Sequence, residues 1–211
     1  MDDQRPFVLE LIEQHWCEPA PELDPSQGGR LRIVINRITV MNGESDDTGV
    51  ARSALALSRT LLRDHTQANP VAEQLVLHDC GFATTLGTCG IGANWWVAHD
   101  GDVVRIDGVT RFDATYGRAE GDTGFSSSDP AEMARSMLSQ PREGASFREA
   151  ACVVPFRSYA AEVVRLAESV LDFAGRAEKH FQDDFDRSEW MGWQVEIRDN
   201  LDEAAARLTA G

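Results

Sequence analysis

A chain of 211 residues with 42% hydrophobic and 26% charged side chains has the composition of an ordinary globular domain, long enough to bury one ample core. Its 35 acidic against 20 basic side chains leave a net charge of −15, which repels nucleic acid and anionic membrane and suits a basic protein partner. The first twenty residues lack the basic-then-apolar pattern of an export signal, and no stretch approaches the about 18 continuous apolar residues of a membrane span, so a cytoplasmic protein is expected.

In chain order, PFVLELIEQ at 6–14 fits either a helix or a strand paired with RLRIVINRITV at 30–40, where Leu31, Ile33 and Ile35 alternate and Ile38 and Val40 follow after a change of phase. A single strand with a bulge accounts for that pattern. EPAPELDPSQGG between them is a loop by its prolines and paired glycines. VARSALALSRTLLRDH at 50–65 predicts an amphipathic helix burying Val50, Ala54, Leu57 and Leu61, with Asp47 or Thr48 as its cap. Pro70 ends the connection before an apolar strand at 73–80.

NWWVA at 94–98 and VVRI at 103–106 flank His99-Asp100-Gly101-Asp102 and predict a hairpin, with Trp96, Val104 and Ile106 toward the core and Arg105 and Asp107 toward solvent. VTRFDATY extends the sheet, a mobile loop covers 117–129, and a short helix starts at Pro130 with Asp129 as its cap. AACVVPF at 150–156 is a further strand. Tyr159, Val163, Leu166, Val170 and Phe173 then mark one helix, and Trp193, Ile197, Leu201, Ala204 and Leu208 mark a second. The expected fold is one α+β domain: an antiparallel sheet of five or six strands over 30–113 and beyond, one mid-chain helix, and a C-terminal helical hairpin over 156–208.

Chemistry-bearing residues are sparse. Cys17, Cys80, Cys89 and Cys152 form no C-x-x-C pair and no zinc spacing, so four reduced thiols are expected. Cys89 with His99 or His78 is the one arrangement that resembles a thiol nucleophile with its base, but a five-residue strand holds a hairpin-tip His99 roughly 15 Å from Cys89. Gly87, Gly90 and Gly92 lack the lysine of a phosphate loop, and no cofactor is expected. Asp183, Asp184, Asp186 and Glu189 lack the glycine and alternation of a calcium loop, and favour a helix start and a partner surface over a metal site.

Between 162 and 203, twelve acidic side chains stand against five basic ones, a local net charge of −7. Such a surface steers an oppositely charged partner. Asp183, Asp184, Asp186, Glu189, Trp190, Glu196 and Asp199 are the candidate contact residues, Trp190 as an aromatic rimmed by acids and the rest as its charged surround.

The succession LRIVINRITV, VARSALALSRTLLRDH, HDGDVVRI, VPFRSYAAEVVRLA and DDFDRSEWMGW resembles, over residues 30–205, the immunity proteins of bacterial polymorphic toxin systems. The resemblance implies a non-enzymatic inhibitor that occludes a basic cognate toxin. It assigns no residue a role, because such proteins act through surfaces that differ from one toxin to the next.

Overall fold

The computed structural model describes residues 5–16, 27–44, 48–77, 92–112, 144–176 and 184–210, and within the last of these leaves out the side chains of 184–187, 189, 190 and 210. Nine strands and three α-helices are present among the described residues: β1 (Phe7–Trp16), β2 (Gln27–Ile35), β3 (Ile38–Asn42), β4 (Thr48–Gly49), α1 (Val50–Arg59), β5 (Val76–Leu77), β6 (Gly92–Asp100), β7 (Val103–Phe112), β8 (Gly144–Ser146), β9 (Cys152–Pro155), α2 (Phe156–Gly175) and α3 (Asp184–Ala210). The α+β class, the antiparallel pairing and the two long C-terminal helices are as expected. The strands divide between two sheets, however, ordered β1-β2-β3 with β4 on β2, and β5-β6-β7-β8 with β9 on β7.

The phase change after Ile35 is a turn. Asn36 and Arg37 both take positive φ, 49° and 68°, and Ile35 pairs with Ile38, so a two-residue turn folds the expected single strand into the β2–β3 hairpin. Positive φ at both central positions is what a two-residue turn of this hand requires. Asn36 is held there by its side-chain amide, which donates to the carbonyls of Glu149 at 2.9 Å and Ala151 at 3.3 Å. That contact also ties the first sheet to the second. Gln27, Gly28 and Gly29, expected in the preceding loop, belong to β2, where the two glycines pair with β4.

Helix α1 stops at Arg59, short of the expected Asp64 and His65, because the chain turns tightly over Thr60–Leu62. Its apolar stripe is as expected: Val50, Ala54, Leu57 and Leu61 are all buried. No side chain caps it; Gly49 is the capping residue, and the Thr48 hydroxyl donates to the Gly29 carbonyl instead. Asp47 lies outside the described residues. Of the expected strand at 73–80, Val76 and Leu77 form β5, and 78–80 lie outside the described residues.

The hairpin β6–β7 is longer and its turn tighter than expected. His99 pairs with Val104 and Asp100 with Val103, leaving Gly101-Asp102 as the turn, with Gly101 at φ 62°. A register shift between Asn94 and Trp96 decides which tryptophan is inside. Trp95, not Trp96, is fully buried, together with Val104 and Ile106. Trp96 covers Gly108 on the opposite face, where φ is 57° and an added Cβ would collide with the indole ring.

The core lies where both sheets meet α2. The Phe7 ring packs edge-on against Trp95, centroids 5.9 Å apart, and against Tyr159 at 4.9 Å. Helix α2 buries Tyr159, Val163, Leu166 and Val170, while Phe173 is half-buried against Trp16. Helix α3 runs antiparallel to it, since Arg157 near the start of α2 donates to the carbonyl of Leu208 at 3.1 Å and Arg207 lies over the Phe156 ring. Toward α1 it reaches with Asn200, whose amide donates to the Ser58 hydroxyl at 3.0 Å. The last helix is thus a strut across both other helices.

Candidate functional site

The C-terminal helix supplies most of the candidate surface. Its buried side carries Ile197 and Ala204, with Trp193, Leu201 and Leu208 half-buried against the core, as the spacing predicted. The opposite side is solvent-facing: Met191, Val195, Asp199, Asp202 and Glu203 are all exposed. Among the described residues, none of these three carboxylates has an ion-pair partner.

Glu196 is different. It stands on the flank facing α1, where the Arg59 guanidinium grips its carboxylate with two bonds of 2.6 and 2.9 Å and reaches the Val71 carbonyl at 3.3 Å. The Arg59 hydrogen bonds hold the Glu196 carboxyl below its ordinary pKa against the opposing effect of partial burial. Its charge is therefore spent inside the chain, clamping α3 to α1. Asp184, Asp186, Glu189 and Trp190 lie in the first two turns of α3 but their side chains are outside the described residues, as is all of Asp183. The 117–129 loop and the helix from Pro130 are outside them too.

Cys89, His78, Cys17 and Cys80 lie outside the described residues. Cys152 is half-buried on β9, and burial pushes its thiol pKa up, which disfavours the thiolate. His99 is described and has an orienting partner that sequence spacing did not suggest. The Asp64 carboxylate, just past α1, accepts both the His99 backbone N–H and its ring Nδ1–H at 2.9 Å. These bonds hold the Asp64 carboxyl below its ordinary pKa, the backbone one having the largest effect. The His99 ring lies edge-on to Phe156, and its Nε2 is buried with no hydrogen-bond partner. Seven residue steps of strand, roughly 23 Å when extended, separate His99 from Gly92.

The neighbouring His65 does structural work. The Val71 backbone N–H donates to its Nδ1 at 3.0 Å, so the ring proton sits on Nε2 and is donated to the Asn94 side-chain oxygen, also at 3.0 Å. Burial pushes its pKa down to about 4, so the ring is neutral at pH 7. Through its main chain, His65 also pairs with Val97 on the outer side of β6. Asp64 and His65 together therefore close the edge of the second sheet. Among the described residues no group of three or more histidine, cysteine or acidic side chains is placed to hold a metal ion, and no helix is long and apolar enough to cross a membrane.

Sequence reasoning missed Asp64, Glu162, Met191 and Val195. The Asp64-His65 pair was hidden inside the expected helix over 50–65; the others depended on which face of a helix the fold covers. No protein-family model matches the chain, and neither a curated protein nor a solved structure matches it significantly.

Proposed function

We propose that this chain is a non-enzymatic acidic binding protein of immunity or inhibitor type, acting in the cytoplasm, which neutralises a basic toxin by occluding it. The observation that carries the proposal is the exposed carboxylate set Asp199, Asp202 and Glu203 on α3, free of internal cations among the described residues, in a chain of net charge −15. Free carboxylates on a rigid helix raise the rate of encounter with a cationic protein and select against anionic ones. The arrangement resemblance to immunity proteins supports the same role. The test is size-exclusion chromatography at low ionic strength with each basic protein encoded by an adjacent gene. Co-elution that weakens with added salt is expected; separate elution under all conditions overturns the proposal.

A further inference from the structure

We infer that the outward face of α3 docks a basic amphipathic helix of the partner, with Met191 and Val195 as its apolar contact and Asp199 and Asp202 as the end that meets cations. The inference rests on the binding function proposed above and adds to it the place and the form of the contact. Residues 191, 195, 199 and 202 follow one another at intervals of four, four and three, so they line one side of the helix over roughly 16 Å. Among the described residues the fold does not pack on this side; its packing runs through Ile197 and Ala204 on the other.

Met191 is 49% and Val195 47% exposed, and of the large exposed apolar residues described they alone share an element, the others being Ile12 on β1 and Val153 on β9. Isolated exposed apolar side chains need no explanation, but a pair one turn apart forms a continuous patch. Between them sits Gly192. A glycine inside a helix costs about 1 kcal/mol relative to alanine, and a Cβ placed here would meet nothing within 4 Å. No contact among the described residues calls for it. Its absent side chain leaves a notch beside the Met191–Val195 ridge, which is the shape that ridge-into-groove packing of a second helix fills.

The chemistry of the occupant follows from the rest of the face. Backbone groups inside a helix are already bonded to one another, so an extended peptide would find no ladder here and contact must be through side chains. Asp199 and Asp202 extend the apolar pair by two turns with unpaired negative charge, while Glu196 on the flank is neutralised by Arg59. An apolar stripe followed by lysine or arginine on a partner helix matches that order.

The test uses the full chain and a short synthetic helix carrying leucine on one face and lysine on the other, with binding followed by calorimetry. Met191→Ser with Val195→Ser is expected to weaken binding about tenfold, from the apolar area lost. Asp199→Asn with Asp202→Asn is expected to weaken it several-fold and to flatten its dependence on salt. Absence of binding by the wild-type chain, or binding by both double variants as tight as the wild type's, overturns the inference. A concentration-dependent dimer abolished by Val195→Lys would assign the face to a second copy of this chain and also overturn it. Absence of a complex between the wild-type chain and any basic protein encoded by an adjacent gene counts against the function itself; a wild-type complex that survives in both double variants counts only against this face.

Discussion

The Glu162 carboxylate accepts the backbone N–H of Leu9 at 2.9 Å, across 153 residues of chain. One turn further along α2, Arg165 donates to the carbonyl of the same Leu9 at 3.0 Å and pairs with Glu162 as well. The helix thus presents an acceptor and a donor where a further strand would present its backbone. This closes the edge of the first sheet, a position at which unpaired backbone groups would otherwise recruit another chain. Glu162 is 6% exposed at its side chain and also receives the Arg5 guanidinium at 2.7 Å.

Glu162→Ala strands the Leu9 amide and leaves two arginines without their shared anion. The expected loss is about 3 kcal/mol in urea-induced unfolding, with faster hydrogen exchange at the Leu9 amide. A loss below about 1 kcal/mol would show that water replaces the carboxylate without penalty.

His65 makes stability depend on pH. Its folded pKa, about 4, lies below the unfolded value of 6.5, so the unfolded chain binds more protons between those limits. Stability from this group is complete above pH 6.5 and falls as the pH drops toward 4, by about 3 kcal/mol in total. Unfolding midpoints of the wild type and of His65→Gln, measured across this range, should converge at the acid end. Parallel pH profiles would show that another group governs the acid limb.

Tyr159 is buried, and desolvation raises its phenol pKa while the Thr60 hydroxyl and the Trp95 indole oppose the rise. The Thr60 hydroxyl donates to the Leu57 carbonyl at 2.6 Å, so the Tyr159 hydroxyl donates to Thr60, also at 2.6 Å. Tyr159→Phe removes one donor and is expected to cost about 1 kcal/mol; Thr60→Val removes both bonds and should cost more. Equal costs would mean that the Thr60–Leu57 bond adds nothing to stability.

Arg37 holds a left-handed conformation with a Cβ, which for an ordinary residue costs roughly 1 kcal/mol. Arg37→Gly restores the asparagine–glycine pair preferred in this turn, and is expected to raise stability by about 0.5–1 kcal/mol. A fall in melting temperature would show that the arginine side chain contributes more than the turn strain removes.

Glu196→Gln breaks the clamp between α3 and α1. Because the pair is partly exposed, the cost should be about 0.5 kcal/mol and should shrink as salt is added. Binding of the leucine–lysine helix should be unaltered by this variant, since the clamped carboxylate faces α1.

Much was legible from one sequence because it was local. Alternation of Leu31, Ile33 and Ile35 named β2, β-branched and aromatic runs with the glycine after Asp100 located the second hairpin, and the spacing of Tyr159, Val163, Leu166 and Val170 named the buried side of α2. Each depends on neighbours a few residues apart and on the two periods of regular backbone. The β2–β3 hairpin was hidden in a change of phase, because an asparagine and an arginine are ambiguous turn residues until a distant carbonyl pair holds one of them.

The candidate site shows the same boundary. Charge excess and the existence of an acidic C-terminal helix follow from composition and spacing, since net charge and amphipathicity need no knowledge of neighbours. That Glu196 is consumed by Arg59, that Asp64 holds His99 and that Met191 and Val195 are left uncovered were decided by tertiary structure alone. The physical reason is that a side chain's role depends on what lies within a few ångströms of it, and those neighbours are brought from 35 to 137 residues away by burial of the core rather than by any local preference.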